Sequence, residues 1–290
     1  MKESKQYKIF KVVNTIIMII VILVTLYPFW YLVSLSLSSE KYVYAGLVSL
    51  FPRGFTLKTY QVLLAEKEFW TSYKNTIIYT IVGTLVSLFL STLLAYPLSK
   101  KRLKGRGIIL GFVVFTMFFS GGLIPTYLLV NALGMRNTIW GVVLPGAVST
   151  FNVMVMKTFF EGIPTELEEA AEVDGMSTYG ILLKIILPLS KPIMYVMALF
   201  YAVGVWNNWF GPFIYLDDSS KFPVALYLRN ILAGAQQTAV SSTSDQSELA
   251  QISATLKSAS VILTSIPIMM VYPFIQKYFV QGVMIGSLKG

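Results

Sequence analysis

Residues 162–192, GIPTELEEAAEVDGMSTYGILLKIILPLSKP, decide the fold because they form an acidic, turn-rich stretch between apolar segments. Five of the chain's 14 acidic residues lie in the first half of this stretch. Ala170 and Ala171 leave a small, smooth face on which another surface could sit closely. The stretch is therefore a candidate docking element that lies outside the apolar segments.

Local signals predict that this stretch forms a short helix, a sharp turn and a second helix. Thr165 followed three residues later by Glu168 predicts a capping box at the first helix. Gly175 predicts the end of that helix, because glycine readily adopts the left-handed conformation found there. Ser177 predicts the cap of the second helix, which Pro188 would break or kink.

The composition indicates a membrane protein. Of the 290 residues, 55% are hydrophobic and only 13% are charged, whereas a soluble domain carries about 25% charged residues. The chain has no cysteine and no histidine, so it lacks a thiol nucleophile and the commonest general base and metal ligand. We therefore predict no catalytic residue, no metal site and no cofactor in this chain.

Charge-free apolar runs predict an all-α fold with six transmembrane helices, because a helix needs about 20 apolar residues to cross the hydrocarbon core. We predict a single transmembrane domain over residues 1–290, with a loop at 162–190 outside the membrane. The predicted spans cover about 12–37, 75–99, 107–131, 137–157, 192–216 and 258–280.

Basic residues predict the orientation of the chain, whose net charge is +9. Four lysines precede the first span, and the link after the second span reads KKRLKGR (residues 100–106) without an acid. Under the positive-inside rule both segments face the cytoplasm, which also places residues 162–192 and both termini inside. Nucleic-acid binding explains these clusters less well, since they flank membrane spans.

Polar residues within the spans are candidates for a substrate path. Asn152 lies in the fourth span, and the fifth contains Trp206, Asn207, Asn208 and Trp209 (WNNW). Amides can bind sugar hydroxyls and aromatic faces can pack on sugar rings, and helix positions 206 and 209 share one face. An aromatic belt at the membrane interface explains the WNNW motif equally well.

Two further segments allow more than one interpretation. Gly121, Gly122 and Pro125 in the third span indicate either close helix packing or a broken helix that lines a path. Residues 221–251 are polar, which favours a flexible linker.

The order and spacing of residues 164–188 resemble the EAA loop of permeases in bacterial ABC importers. The stretches GGLIPTYLLV (residues 121–130) and LPG (144–146) are similar to maltose-type carbohydrate permeases, in the branch that serves aldouronates and complex polysaccharides. The residues that carry the EAA resemblance are Pro164, Glu166, Leu167, Glu169, Ala170, Ala171, Asp174, Gly175, Ile185, Leu187 and Pro188.

This resemblance implies a permease subunit of an ATP-driven oligosaccharide importer in the bacterial plasma membrane. Its partners would be a second permease, two ATPase subunits and an extracytoplasmic solute-binding protein that meets the outer loop 217–256. ATP and Mg would be bound by the ATPase, since this chain has no GxxxxGK[ST] motif. Helix 164–175 would dock into the ATPase and couple its movement to alternating access.

The resemblance also assigns roles to residues. Those implied in ATPase coupling are Glu166, Leu167, Glu169, Ala170, Ala171, Asp174, Gly175 and Pro188. The small-residue tail implied to contact the ATPase consists of Gly286, Ser287, Leu288, Lys289 and Gly290.

Two other classes of protein stay open on the sequence alone. An ion-coupled secondary transporter normally carries ionisable groups inside the membrane, and the charge-free runs of the six predicted spans contain none. A membrane scaffold without a transport role would lack a partner ATPase, so copurification with an ATPase would separate it from an importer.

Overall fold

The computed structural model describes residues 4–241, 255–270 and 273, and this part of the chain is helical without a strand. The predicted all-α class is confirmed. The described residues form two compact units, one within the ranges Met1–Lys67 and Leu228–Ile266 and the other within Glu68–Tyr227 and Pro267–Gly290. The candidate functional site lies in the second unit.

The helices are numbered in chain order. They are α1 (Lys5–Ser36), α2 (Glu40–Tyr44), α3 (Lys58–Ala65), α4 (Lys67–Ser99), α5 (Arg106–Phe118), α6 (Leu123–Ala132), α7 (Ile139–Val143), α8 (Thr150–Glu161), α9 (Glu166–Val173), α10 (Thr178–Ile181), α11 (Leu187–Leu189), α12 (Lys191–Trp206), α13 (Phe210–Tyr215), α14 (Val224–Ser241) and α15 (Thr255–Met270). Short 3-10 turns occupy Leu144–Gly146 and Ser219–Lys221, and a π-helical segment, Leu182–Ile186, joins α10 to α11.

Helix α1 dominates the first unit and exposes its apolar surface over most of its length. The hydrogen bonds described between α1 and the segment that follows it involve only the last turns of α1. The indole N–H of Trp30 and the hydroxyl of Ser34 both donate to the carbonyl of Leu50, at 2.6 and 2.9 Å. The hydroxyl of Tyr60 in α3 donates to Ser36 at 2.8 Å. Residues 12–29 of α1 form a charge-free apolar surface suited to lipid.

The described residues contain up to five candidate membrane spans. Helices α1 and α4 are each long and apolar enough to cross a membrane alone. Three further candidates are bent pairs: α5 with α6 (113°), Ile139–Gly146 with α8 (58°), and Thr178–Leu189 with α12 (84°). Part of the sixth predicted span, 258–280, lies in α15, and the rest falls almost wholly outside the described residues. The count of six therefore stays a prediction.

The third predicted span is broken at its glycine pair. Helix α5 ends at Phe118, and α6 begins at Leu123. Gly122 has a φ of +86° and a ψ of 170°, a conformation that is essentially restricted to glycine. A Cβ added at Gly121 would meet nothing within 4 Å, so close packing against the described residues does not explain this glycine. The glycines serve the bend.

The fifth predicted span is not one helix, so the expectation that Trp206 and Trp209 share a helix face is wrong. Helix α12 ends at Trp206, and α13 begins four residues later. The side-chain oxygen of Asn208 accepts the N–H of Gly211 at 3.0 Å, which replaces a helical backbone bond with a side-chain cap. Pro212 then cannot donate to the preceding turn.

The expectation of a flexible linker over residues 221–251 is wrong for residues 224–241, which form α14. Its start, VALYLRNILAGA, is rich in good helix formers. Thr76 of α4 caps it, since its hydroxyl accepts the N–H of Val224 at 2.8 Å. The most Ser- and Thr-rich part of the segment, 242–254, lies outside the described residues.

The apolar core of the second unit lies beneath the 162–190 loop. It joins the end of α4 to α8, α9, the α10–α11 segment and α12. Met156, Ile186 and Met197 are completely buried within it. Each apolar side chain of this size stabilises the fold by about 1.5–3 kcal/mol relative to exposure. The loop is therefore part of the folded core rather than an appendage.

Gly141 tests the packing around α7. A Cβ at this position would lie 2.5 Å from the backbone carbonyl oxygen of Met135, and a backbone atom cannot move aside as a side chain can. We expect Gly141→Ala to lower the free energy of unfolding by about 1–3 kcal/mol, measured as the midpoint of thermal unfolding in detergent.

Gly111→Ala is the matched control, because Gly111 is also helical and its added Cβ would meet nothing within 4 Å. Equal midpoints for the two variants would contradict the close approach at Gly141.

Candidate functional site

Helix α9 presents one face to its own chain and the other outward. Glu168 and Ala171 are buried, with 5% and 4% of their surface exposed. Leu167, Ala170 and Val173 are exposed, Val173 by 88%. Because residues three apart are neighbours on a helix surface, these three form an apolar strip along the outward side, which we call the α9 strip.

The predicted smooth face of Ala170 and Ala171 is wrong for Ala171. Consecutive helix positions point about 100° apart, and here Ala170 lies on the outward side while Ala171 lies on the inward side. Ala171 packs inside the apolar core, and Ala170 alone belongs to the α9 strip.

The predicted capping box at Thr165 is also wrong. Thr165 has φ −68° and ψ −27°, and its side chain makes no capping hydrogen bond. A residue that caps with its side chain normally has an extended backbone, whereas Thr165 is already helical and uses its carbonyl to accept from Glu168 and Glu169. The Glu168 carboxylate turns to Lys100 instead.

The turn after α9 forms as predicted. Gly175 has a φ of +77°, its N–H donates to the carbonyl of Glu172 at 3.0 Å, and the N–H of Met176 donates to the carbonyl of Ala171 at 2.9 Å. These two bonds define a Schellman motif with glycine at its left-handed position. Ser177 then caps α10, accepting the N–H of Gly180 at 3.2 Å.

The basic link 100–106 binds the inward face of α9. Lys100 pairs with Glu168, and both side chains are largely buried, at 16% and 6% exposed. The Lys100 ammonium also lies 4.6 Å from the ring centroid of Tyr96. One turn further along α9, the Arg102 guanidinium donates to both carboxylate oxygens of Glu172, one of them at 3.0 Å. This hydrogen bond lowers the pKa of Glu172 below its ordinary value.

A second ionic contact joins α5 to the end of α8. Glu161 accepts from Arg106, and from Lys157 one turn earlier in α8 at 2.9 Å. The Arg106 guanidinium also donates to the carbonyl of Leu98 at 2.8 Å. The link that indicated only membrane orientation therefore fixes α4, α5, α8 and α9 together. The sequence signal for the pairing of α9 with the basic link was the spacing of Glu168 and Glu172, which lie one helical turn apart.

The second helix of the loop bends sharply at Ser190, two residues after its proline. The π-helical segment Leu182–Ile186 precedes Pro188, which lacks the N–H that a regular helix would donate to residue 184. The helix then turns through 84° into α12. π-Bulges and prolines are common causes of sharp helix bends. Pro188 itself is exposed.

A cavity of about 440 Å³ lies between α4, α7, α8 and α12 and includes two of the predicted path residues, Asn152 and Asn208. Ser149 and Tyr201 join them. The Tyr201 hydroxyl lies 2.6 Å from Ser91 of α4 and accepts the N–H of Ser149 at 3.3 Å. The described lining carries amide and hydroxyl groups and no charged side chain. Such a surface suits a ligand rich in hydroxyl groups.

The other WNNW residues lie away from this cavity. Trp206 is buried, and its ring packs edge-on against Tyr73 of α4 with centroids 6.0 Å apart. Asn207 is exposed at the end of α12. Trp209 contacts the rings of Phe210 and Phe213. Of the four WNNW residues, only Asn208 therefore lines the cavity.

The tail residues predicted to contact the ATPase lie outside the described residues. They are Gly286, Ser287, Leu288, Lys289 and Gly290.

Three features together define the class of a membrane permease subunit. They are the bent apolar helices, the charged hairpin of residues 162–190 that is bound to their ends, and the neutral cavity between them. Residues 87–285 match the family described as "binding-protein-dependent transport system inner membrane component". The chain belongs to this family, and the predicted identification as a permease of an ABC importer is confirmed.

Two curated relatives match this chain over more than nine tenths of their length. The chain is 40% identical to protein LplC of Bacillus subtilis over 100% of this chain and 98% of that one. It is also 40% identical to the polygalacturonan/rhamnogalacturonan transport system permease protein YtcP of the same species, over 91% and 92%.

Solved structures share the fold. One is described as a bacterial ABC transporter involved in the import of the acidic polysaccharide alginate, with 34% identity, a TM-score of 0.83 and coverage of 96% of this chain and 99% of that chain. A second, described as a bacterial alginate ABC transporter with an alginate pentasaccharide-bound periplasmic protein, is 15% identical with a TM-score of 0.57, over 93% and 94%, and supports the fold alone. Family membership decides against the secondary transporter and the scaffold.

The Lys100–Glu168 pair tests how α9 is held. We expect Lys100→Met to destabilise the protein by about 3–5 kcal/mol, because it leaves a buried carboxylate without its partner. The double variant Lys100→Met/Glu168→Met should recover most of this loss, since it buries no charge. The measurement is the midpoint of thermal unfolding in detergent.

Lys101→Met is the control, because Lys101 is exposed and should change stability by no more than about 0.5 kcal/mol. If the double variant were no more stable than Lys100→Met alone, the two residues would not act as a pair.

Proposed function

We propose that this chain forms, with a second permease, the translocation path of an oligosaccharide importer, and that α9 couples the path to a separate ATPase. The observation that carries the proposal is the α9 strip, an exposed apolar surface on a helix whose other face is bound to its own chain. Exposed apolar patches of soluble surfaces commonly mark docking sites. ATP and Mg would be bound by the ATPase and not by this chain.

The coupling mechanism follows from how α9 is attached. Its inward face is bound to the end of α4 by Lys100 and Arg102, and the hairpin continues into α12 through the bend at Ser190. A displacement of α9 by a docked ATPase would therefore move α4 and α12, the two helices that flank the neutral cavity. ATP can drive alternating access only if the ATPase binds the two arrangements with unequal affinity.

The orientation and partners complete the proposal. The basic link 100–106 and the lysines before α1 favour a cytoplasmic location for both termini and for α9. An extracytoplasmic solute-binding protein would deliver the substrate from the other side. The relatives' named substrates, polygalacturonan/rhamnogalacturonan and alginate, make fragments of such polysaccharides the substrate class that we propose.

The substrate path would include the neutral cavity. Asn152 is only 6% exposed, and its amide lies on a surface with the hydroxyl of Tyr201. A buried amide needs a hydrogen-bonding partner, and a sugar hydroxyl in transit can serve as one. Trp206, Asn207 and Trp209 are given no direct contact with substrate in this proposal.

We expect substitutions at the α9 hairpin to uncouple ATP hydrolysis from uptake while the protein still inserts. Glu169→Lys reverses a charge beside the α9 strip, and Gly175→Leu forces a side chain into a left-handed position at a cost of about 1 kcal/mol. The measurement is the ratio of ATP hydrolysed to oligosaccharide taken up in proteoliposomes that contain the complete importer.

Gly134→Leu is the matched control for Gly175→Leu. Gly134 ends α6 in a second Schellman motif with a φ of +67°, and its added Cβ would likewise meet nothing within 4 Å. The coupling role of the hairpin is wrong if both glycine variants change the ratio equally, or if Glu169→Lys leaves it unchanged.

We expect Asn152→Ala to lower uptake several-fold by removing a hydrogen-bonding group from the path, with the ATPase still stimulated by the loaded binding protein. Uptake of labelled oligosaccharide by proteoliposomes provides the measurement. Asn131→Ala is the control, because Asn131 is exposed on α6. Unchanged uptake by Asn152→Ala would remove the cavity from the path.

A further inference from the structure

A second cavity, of about 680 Å³, lies beside the hairpin at the end of α4. Its walls are mainly apolar and aromatic, and include Leu93 and Tyr96 of α4 and Tyr179 and Leu182 from the hairpin. Leu93 is 40% exposed and Tyr179 is 73% exposed, so the cavity continues into the outer surface of a candidate membrane span. One end of it is therefore positioned to meet lipid.

The other end of the cavity is basic. Lys100, Arg102 and Lys104 line it, and its described lining contains no acidic residue. Lys100 is engaged with the buried Glu168, but the Arg102 side chain is 62% exposed beside Glu172. Among the described residues Lys104 forms no ion pair, and its side chain is exposed. The rim thus keeps positive charge that the hairpin does not neutralise.

The charged side chains beside the cavity also leave its rim positive. The ion pairs beside the cavity join four basic side chains to three acidic ones, and Lys104 on the rim adds a positive charge with no ion pair among the described residues. The paired side chains are Lys100, Arg102, Arg106 and Lys157 with Glu161, Glu168 and Glu172. An anionic group is therefore the chemistry that the rim would attract.

We propose that this cavity binds an anionic phospholipid, with the phosphate at Arg102 and Lys104 and an acyl chain along Leu93 and Tyr96. A free anion would use only the rim and leave the apolar walls in water. A lipid with an anionic headgroup matches both ends. Basic pockets between membrane helices on the cytoplasmic side are suited to such headgroups, and tyrosine favours the interfacial depth that Tyr179 would then occupy.

The position of the cavity gives the bound lipid a structural consequence. Its walls come from α4, the basic link and the second helix of the hairpin, so an occupant touches both the link that binds α9 and the helix that follows α9. Anionic lipid would stabilise the hairpin against the end of α4. The lipid site is independent of the proposed ATPase contact, because the α9 strip is not part of its lining.

The test is native mass spectrometry of the full-length chain, purified in detergent with the subunits that accompany it. It would be titrated with phosphatidylglycerol, with phosphatidylcholine of the same acyl chains and with inorganic phosphate. We expect phosphatidylglycerol to bind more tightly than phosphatidylcholine. Lys104→Gln should weaken phosphatidylglycerol about fivefold, as expected for one basic residue near an anionic headgroup.

Lys101→Gln is the control, because it removes the same charge from the same link but Lys101 does not line the cavity. Tyr179→Ala tests the apolar wall and should also weaken phosphatidylglycerol. Equal weakening by Lys104→Gln and Lys101→Gln, equal affinity for the two lipids, or displacement of phosphatidylglycerol by inorganic phosphate would each overturn the proposal. So would phosphatidylglycerol binding to the chain alone but not to its complex. Loss of ATPase coupling without a change in lipid binding would affect only the function proposed above.

Discussion

The buried ion pair between Lys100 and Glu168 is the contact on which the arrangement of the hairpin depends. A carboxylate that is almost completely buried is tolerated only when it is paired and hydrogen-bonded. Such a pair contributes little net stability, yet removing one partner costs several kcal/mol. Its effect is therefore to specify one position for α9 against the end of α4. Arg102 and Glu172 repeat the contact one helical turn further, which fixes the helix in rotation as well as in position.

The helices of the candidate membrane spans are interrupted at residues whose backbone or side chain disfavours a regular helix. Gly122 supplies a conformation that other residues avoid, Pro188 removes a helical donor, and Asn208 substitutes its side chain for a backbone bond. Irregular backbone is tolerated at membrane depth where it is buried in protein or lines a polar cavity. Asn208 fits that rule, because its side chain both caps α13 and faces the neutral cavity. The break in the fifth predicted span therefore also places an amide in the candidate path.

Much of the fold and of the hairpin was predictable from local patterns. The all-α class, the left-handed turn at Gly175 and the cap at Ser177 depend on one or a few neighbouring residues, and all three are found. The errors at Thr165 and Ala171 share a cause: each residue was judged by its neighbours in sequence, whereas contacts with α4 and the core decide its environment. The role of Tyr201 could not be predicted for the same reason, because Ser91 lies 110 positions away. The WNNW motif shows a further limit, because these four residues carry no local signal that α12 ends at Trp206.

The two faces of α9, a helix of eight residues, meet different requirements. The inward face maintains the fold, and the outward face is available to a partner. Glu168, Ala171 and Glu172 make contacts within the chain, so a substitution there is expected to lower the stability of the fold. Leu167, Ala170 and Val173 face outward, so changes there leave those contacts intact. Under the proposed docking of the ATPase on the α9 strip, partner specificity can change, or be redesigned, while the contacts that hold α9 in place are kept, which gives one permease fold a simple route to exchanging its ATPase.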